Sequence, residues 1–532
     1  MNYLISPILE WLDTLANEYD FLLADERRLV SPGILYEMSK YGLFGLQIEK
    51  KFGGLELNYT DTAKIIEKLA SINLTLATIV TTHSNGVYSI QHYGTEKLKS
   101  EYLPLLAKGQ GLSAFALTEE NAGSNIHAIE ASATPVMNNH WIINGSKIWV
   151  DSGSWSSIIV TFCKSTTENY QQKFLAFAIP IKMPGVKIID ESYTMGLRSM
   201  VQNNINFNDV YVSQENLLGV GGDGLLIANA TLDKSRLLLS IKALGASKRC
   251  LQLMINYAKN RLIATGRLLD NPVTLERIND ISLGSLILEL GCNTLISMLD
   301  TNVEVPSELL MMIKIFASEL ANNAAESALQ ILGGRGYMEH NLIAQIFRDA
   351  RALKISEGTN ESLNYHIGSV LIYNGENIYN FFEYKLSSEH KSNKLKELSK
   401  TIYDNCVAKN FDKNNLNEYW AYYLIGKASG YQFLNHIVDS SSDIDYEEKV
   451  ILTQYLNYEI DTIVSQSCHL SKSSLLLSST YKINSITDAQ ISSLNELNPA
   501  LLRVETMLNN YLKPEIKQDK VLSTLHGNIE DY

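Results

Sequence analysis

The sequence predicts a multidomain protein in which α-helical and β-sheet parts form separate domains. Helical periodicity, with apolar residues three and four positions apart, covers residues 1–110 and returns from about Gly224 onward. Between these blocks, short β-branched and aromatic runs such as HWIING and NNINFNDVYV alternate with turn residues, which is typical of a small antiparallel β domain. Because helix-rich and strand-rich blocks are segregated, and no GxGxxG motif follows a strand, the pattern argues against a Rossmann-type alternating sheet.

Four blocks follow from these changes of pattern. We expect an N-terminal helical domain at 1–110, a middle β domain at 111–220, a helical bundle at 221–375 and a helical extension at 376–532. A chain of 532 residues has room for about three or four domains. Within the extension, helix-like segments are expected at about 378–408, 414–438, 444–475 and 487–512.

Charge and cysteine content exclude some function classes. The net charge of −13 makes nucleic acid an unexpected partner, because a polyanion is repelled. The five cysteines are scattered without a CxxC pair, so neither a metal site nor a disulfide framework is indicated. A reducing cytoplasmic location fits this cysteine usage, and the first 20 residues read as an amphipathic helix, not as a targeting peptide.

Two motifs in the β block are candidate ligand contacts. In FALTEENAGSN, the residues Thr118, Gly123 and Ser124 put hydroxyls and unhindered backbone in one loop, which suits a phosphate or a ring edge but also an ordinary turn. In NGSKIWVDSG, Trp149 lies in a strand among small polar residues. Its indole can be a core residue or can stack on a planar ring.

Two further motifs lie in the helical bundle. QILGGRGY is a helix end followed by glycines, which either caps the helix or lets the backbone approach a ligand closely. In FRDARALKISEGTNES, Glu357 precedes Gly358 and Thr359 at a break between helices. A carboxylate there can be a buried general base, although a solvated loop acid fits the same pattern.

Taken in order, five motifs resemble the acyl-CoA dehydrogenase family: FALTE-x-x-AGS, KIW-x-x-x-G, LDKSR, QI-x-GG-x-GY and RDAR-x-x-x-I-x-EGT. The resemblance covers about residues 25–375 and includes GLFGL with FGG, GTEKLKSEYLPLLAKG and FNDVYVSQENLLG. It implies a helical domain, a β domain and a four-helix bundle, with FAD between the β domain and the bundles.

The resemblance also implies which residues bind the cofactor and the substrate. The residues implied to contact FAD are Phe115, Leu117, Thr118, Gly123, Ser124, Trp149, Asp151 and Thr359, with Arg261, Gln330, Gly333 and Gly334 contacting the FAD of a neighbouring subunit. The residues implied to contact the thioester substrate are Ser124, Asp233, Arg236 and Gly358.

Glu357 matches the family's usual catalytic base. The resemblance implies that it removes the α-proton of an acyl-CoA while a hydride leaves the β-carbon for flavin N5, which yields the trans-2-enoyl thioester. Some members carry the base at the position of Ser235, but a serine cannot do this work. An electron-transfer flavoprotein is the expected acceptor, and a homodimer or homotetramer the expected assembly.

This sequence departs from the family pattern at several positions. Ala264 and Thr265 stand where an aromatic residue and a glycine are common, and NESLNY lacks the usual Gln-Arg pair. Asp151 replaces a Thr or Ser whose hydroxyl donates a hydrogen bond to flavin N5. Because an ionised carboxylate cannot donate, we expect Asp151 to have a raised pKa and to be protonated when it acts as donor.

Three alternative functions stay open. The acyl group can be carried by a carrier protein in a biosynthetic pathway, or oxygen can be the acceptor, as in an acyl-CoA oxidase. A non-catalytic flavin-binding or acyl-binding protein is the alternative of a different class, and the intact Glu357 argues against it. The extension is similar in size to one carried by very-long-chain members, and an interaction domain is the other interpretation.

Overall fold

The computed structural model describes residues 5–137, 139–166, 174–221, 223–386, 388–407 and 416–477. Six helices form the N-terminal part, and several begin at a side chain that caps free backbone amides, as Asn58, Asn73 and Thr95 do. The helices are α1 (Ser6–Glu18), α2 (Phe21–Glu26), α3 (Pro32–Lys40), α4 (Tyr59–Ile72), α5 (Leu74–Tyr93) and α6 (Glu96–Ala107).

A seven-stranded sheet forms the middle part of the chain. Its strands are β1 (Leu112–Ala116), β2 (Ser132–Val136), β3 (His140–Asp151), β4 (Ser156–Ser165), β5 (Phe174–Pro180), β6 (Val186–Glu191) and β7 (Gln202–Ser213). The order is β1-β4-β2-β3-β7-β6, and β5 pairs with β4. The sheet is mixed and not wholly antiparallel as expected, because β1 and β2 both run parallel to β4. Turn residues predict local hairpins, but they carry no information about pairing between strands separated along the chain.

A helical bundle follows the sheet. Its helices are α7 (Gly224–Asn260), α8 (Pro272–Asp300), α9 (Ser307–Leu332), α10 (Leu342–Leu353) and α11 (Asn360–Tyr373), and a hairpin of β8 (Leu262–Ile263) and β9 (Gly266–Arg267) joins α7 to α8. The long helix α7 packs against α4, α5, α8 and α9, so it is central to the bundle. By length and composition α8 could cross a membrane, but 56% of its most apolar window is buried in the protein, as in a core helix.

The extension packs on the bundle. Its helices are α12 (Glu376–Asn380), α13 (Glu389–Val407), α14 (Leu416–Ser440) and α15 (Tyr446–Leu477), and the expected segment at 487–512 lies outside the described residues. Helix α14 lies so close to α11 that a Cβ added at Gly426 would be 2.0 Å from the carbonyl oxygen of Asn364. A Cβ at Gly368 would likewise be 1.9 Å from the carbonyl oxygen of Tyr422. The extension therefore depends on glycine at this contact.

Candidate active site

Glu357 lies in the short loop between α10 and α11, in a strained backbone conformation. Its φ angle is 59°, in the left-handed region that is costly for a side chain with a Cβ, and Gly358 follows at 96°. Such outliers cost about 1–3 kcal/mol each and persist where surrounding contacts hold them. The backbone here therefore supports the interpretation of Glu357 as a functional residue and explains why glycine follows it.

Three side chains hold the Glu357 loop against the bundle. Ser235 Oγ donates to Glu357 Oε1 at 2.6 Å, and Arg236 Nε donates to the Glu357 carbonyl oxygen at 3.3 Å. The buried Lys314 donates from Nζ to the Gly358 carbonyl oxygen at 2.7 Å. Ser235, the alternative position of the base, is therefore in direct contact with Glu357.

Asp233 and Arg236, the two expected substrate contacts on α7, are bonded to each other. Arg236 Nη1 donates to Asp233 Oδ1 at 2.7 Å, and Ser307 Oγ donates to the same oxygen at 2.6 Å. Arg236 is only 5% exposed. Its guanidinium thus holds the Glu357 carbonyl and the start of α9, a contact that the motif alone did not indicate.

Asp151, at the end of β3, faces two other charged side chains. Gln202 Nε2 donates to its Oδ1 at 2.6 Å. Burial raises the pKa of Asp151 to about 6, an effect that the Gln202 hydrogen bond and the positive charge of Lys242 oppose and the negative charge of Glu357 adds to. Burial also lowers the pKa of Lys242 to about 8, although Glu357 and Asp151 both pull it upward. Two carboxyl groups and one buried cation therefore share this site.

A buried ion pair joins the FALTE loop to the strand that carries Trp149. Lys147 Nζ donates to Glu119 Oε1 at 2.6 Å and to the Leu117 carbonyl oxygen at 3.2 Å. Ile148 N also donates to the Thr118 carbonyl oxygen at 3.0 Å. Lys147 lies in NGSKIWVDSG and Glu119 in FALTEENAGSN, but neither was predicted to be a site residue. The signal available in the sequence was the opposite charge of the two residues in these neighbouring motifs.

Trp149 is turned away from the core of the sheet. The pairing of β3 with β7 shifts register between Lys147 and Val150, and Trp149 has a φ of 55°. Its indole is 61% exposed. A Cβ added at the exposed Gly123 meets nothing within 4 Å, so the loop after β1 is open as well. Phe115, by contrast, is half-buried and packs edge-on against Phe162.

Hydroxyl groups meet at the N-terminus of α11. Thr359 caps this helix of 14 residues by accepting a hydrogen bond from Ser362 N, and Ser362 Oγ donates to Ser124 Oγ at 3.4 Å. Ser124 belongs to the loop after β1, so the cluster joins the sheet to the bundle. Free backbone amides and the helix dipole favour an anion here. Sequence reasoning missed Ser362, whose type and position carry no distinctive signal.

A groove of about 420 Å³ brings together the residues expected to face a neighbouring subunit. Arg261, Gly333 and Gly334 line it, and a Cβ at either glycine meets nothing within 4 Å. The nearby Gln330 is exposed. Residues 264–265, where the family pattern fails, form the tip of the β8–β9 hairpin.

These features fit the FAD that the resemblance implies. The open face of Trp149 suits a planar ring, and the hydroxyls at the α11 N-terminus suit a pyrophosphate. The groove at Arg261 offers a guanidinium beside unhindered glycine backbone, which suits a second phosphate-containing group.

Three family models match consecutive parts of the chain. They are the acyl-CoA dehydrogenase N-terminal domain at residues 12–110, the middle domain at 114–210 and the C-terminal domain at 222–372.

Individual relatives agree with these matches. The mitochondrial very long-chain specific acyl-CoA dehydrogenase of Rattus norvegicus is 29% identical over 350 residues, which cover 64% of this chain and 53% of that protein. An acyl-CoA dehydrogenase of Bacillus subtilis is 29% identical over 340 residues, covering 64% of this chain and 89% of that protein. The chain thus spans about half the length of the rat relative. The solved structure of butyryl-CoA dehydrogenase from Megasphaera elsdenii has 25% identity and a TM-score of 0.66, and covers 70% of this chain and 99% of that one.

Proposed function

The chain belongs to the acyl-CoA dehydrogenase family, and from this premise we propose that it catalyses the FAD-dependent α,β-dehydrogenation of an acyl thioester. The observation that carries the proposal is Glu357, held in a left-handed loop by Ser235, Arg236 and Lys314. A carboxylate fixed on both its side chain and its backbone is suited to take a proton from one defined position.

Glu357 removes the α-proton of the bound thioester. The Ser235 hydroxyl orients the carboxylate through Oε1, which leaves Oε2 as the oxygen that accepts the proton. Arg236 and Lys314 hold the carbonyl oxygens of Glu357 and Gly358, so the loop keeps its strained form during the reaction. The trans-2-enoyl thioester is the product.

FAD is held by residues from both the sheet and the bundle. Trp149 and Asp151 would contact the ring, and Thr118, Ser124 and Thr359 would hold the pyrophosphate. Arg261, Gln330, Gly333 and Gly334 contact the FAD of a neighbouring protomer in a homodimer or homotetramer. When bound, the flavin supplies the two-electron oxidant by accepting the hydride from the β-carbon. An electron-transfer flavoprotein would be the partner that takes up these electrons.

A mostly apolar cavity of about 20 Å³, room for about one water molecule, lies between the N-terminal helices and α7, and we propose that it widens to admit the acyl chain on binding. Lys234 and Leu238 of α7 line this pocket, and Ser235 between them contacts Glu357. The other apolar lining residues are Leu43, Phe44, Leu46, Ile48, Ile66, Val80 and Val87. An apolar lining that adjoins Ser235 along α7, with Ser235 in contact with Glu357, supports a hydrocarbon acyl group as the substrate class.

The test is flavin bleaching by a panel of thioesters, with acyl-CoA and acyl-carrier-protein substrates of increasing chain length. Glu357→Gln keeps the shape of the side chain but cannot accept the proton. We expect it to retain FAD and to lose at least ~10³-fold in the rate of flavin reduction. Glu361→Gln is the matched control, because Glu361 is an exposed acid in the same segment, and it should bleach like the wild type. A Glu357→Gln variant that bleaches at the wild-type rate would show that another residue is the base.

A further inference from the structure

Three pairs of polar side chains lie between the mostly buried helices α5 and α7. Lys242 Nζ donates to Thr78 Oγ1 at 3.2 Å, Asn85 Nδ2 donates to Ser235 Oγ at 3.1 Å, and the hydroxyls of Ser89 and Thr231 share a hydrogen bond of 2.9 Å. The pairs follow one another in opposite directions along the two helices, with spacings of seven and four residues that keep them on one face of each helix. We call the set the polar seam: Thr78, Asn85 and Ser89 on α5, and Thr231, Ser235 and Lys242 on α7.

The middle pair of the polar seam reaches Glu357. Ser235 has one hydroxyl proton, and it donates that proton to Glu357 Oε1 while its oxygen accepts from Asn85. Asn85 keeps this direction, because its amide nitrogen donates to Ser235 and cannot compete with Glu357 for the proton. Its other amide atom, Oδ1, is buried and has no hydrogen-bond partner among the described residues. The amide thus keeps its nitrogen towards Ser235 although its oxygen stays unpaired.

We propose that Asn85 is a positioning residue, which acts through Ser235 to keep a hydroxyl proton on the carboxylate of Glu357. A hydrogen bond donated to a carboxylate is charge-assisted, stabilises the ionised form and fixes the side-chain rotamer. If Asn85 presented an acceptor instead, the Ser235 proton would turn towards it and Glu357 would lose its donor. The inference rests on the proposed function of Glu357 as the base.

We call the path from Asn85 through Ser235 to Glu357 the relay. Asn85→Asp replaces the donor at its start by an acceptor, with almost no change in shape. Two carboxylates then compete for the single proton of Ser235. In an Asp151→Asn background, where Asp151 no longer titrates, we expect the acid limb of the pH profile of flavin reduction to move up by at least one pH unit, with a tenfold loss of rate on that limb and a small loss on the plateau. Asn85→Leu removes the donor that polarises the Ser235 hydroxyl and weakens the bond from Ser235 to Glu357, so it should give a smaller shift in the same direction.

Two further variants distinguish an effect of the relay on Glu357 from an effect of altered packing and from the direct effect of a new charge. Ser89→Ala removes the neighbouring pair of the polar seam, one helical turn from Asn85, and should leave the profile unchanged. In a Ser235→Ala background the relay is already broken, so Asn85→Asp should shift the acid limb by less than it does in the wild type. Equal shifts in both backgrounds overturn the relay, as does a wild-type profile in both Asn85 variants. If Asn85→Asp does not fold, the profile of Asn85→Leu decides.

A readout without turnover keeps this test apart from the proposed function. The visible absorbance of the oxidised holoenzyme is titrated with pH in the absence of substrate and in the same Asp151→Asn background, so that the carboxyl group whose ionisation perturbs the flavin spectrum is Glu357. The same upward shift is expected for Asn85→Asp, and an unshifted titration counts against the relay. If no thioester bleaches the wild type, the proposed function fails, while the absorbance titration still judges the relay.

Discussion

Replacing Asp151 by asparagine tests how the site accommodates a second carboxyl group. The half-buried Asp151 carboxyl has its pKa raised to about 6, mainly by burial, and Glu357 adds to the rise. Gln202 and Lys242 oppose the rise but do not cancel it. Asparagine resembles the protonated carboxyl in shape and in its ability to donate, and it has no charge to bury.

The size of the expected gain in stability follows from the rise in the pKa of Asp151. A rise from 3.8 to about 6 is about two pKa units, or about 3 kcal/mol at 1.36 kcal/mol per unit. Because the folded pKa exceeds the unfolded one, folding disfavours the ionised form. The cost is absent below the unfolded pKa, grows between pH 4 and pH 6 and is complete above pH 6. We therefore expect apo Asp151→Asn to be more stable than apo wild type by up to about 3 kcal/mol at pH 8, and by almost nothing near pH 4.

The assay is thermal and urea unfolding of both apo-proteins from pH 4.5 to pH 8. A stability difference that does not change with pH would refute the electrostatic reasoning, since a packing effect has no proton to titrate. In the holoenzyme the variant should keep its activity and lose the acid-side pH dependence of flavin reduction that Asp151 causes. An inactive variant that still binds FAD would instead indicate that Asp151 transfers a proton.

Two further predictions concern the neighbours of the site. Lys242→Met should raise the pKa of Asp151 further, because the positive charge of Lys242 lowers it. The stability difference between this variant and its Asp151→Asn double mutant should then keep growing to a pH above 6 before it levels off. An unchanged pH would mean that the charge of Lys242 does not reach Asp151. Gly426→Ala should lower the melting temperature by several degrees, because its Cβ would lie 2.0 Å from the Asn364 carbonyl oxygen. Gly430→Ala on the same helix is the control, with its nearest contact at 3.8 Å, and equal melting of the two variants would contradict the close packing of α14 on α11.

Sequence patterns predicted the features that depend on neighbouring residues. Helical periodicity located the helices of the bundle, and the Glu-Gly-Thr motif located the loop of Glu357. The same patterns predicted an antiparallel sheet, which is wrong for β1 and β2. Both strands run parallel to β4, and this direction is set by pairing across a long stretch of chain. Turn residues act over four positions, so they cannot specify a parallel pair.

The polar seam is another feature that depends on contacts between residues far apart in the sequence. Asn85 lies in TTHSNGVYS, a stretch of a mostly buried helix with no motif, and its partner Ser235 is 150 residues away. Buried polar groups need partners, but the sequence does not say which polar residue of one helix meets which residue of another. The individual groups could be seen in the sequence, whereas their relation to Glu357 required the packing of α5 against α7.

The charges around Asp151 qualify the expectation that it is protonated. With a pKa of about 6, Asp151 in the protein alone is about ten to one ionised at pH 7, and Lys242, with a pKa of about 8, is mostly charged. The pair is then close to neutral, and a donor role would need the pKa of Asp151 to rise above 7. The positive charge of Lys242 opposes that rise, so Lys242 disfavours hydrogen-bond donation by Asp151. An anionic group near Asp151 would raise its pKa and favour the donor form. A proton on Asp151 would therefore be expected chiefly when a negative charge lies beside it, and Lys242 sets how strong that charge must be.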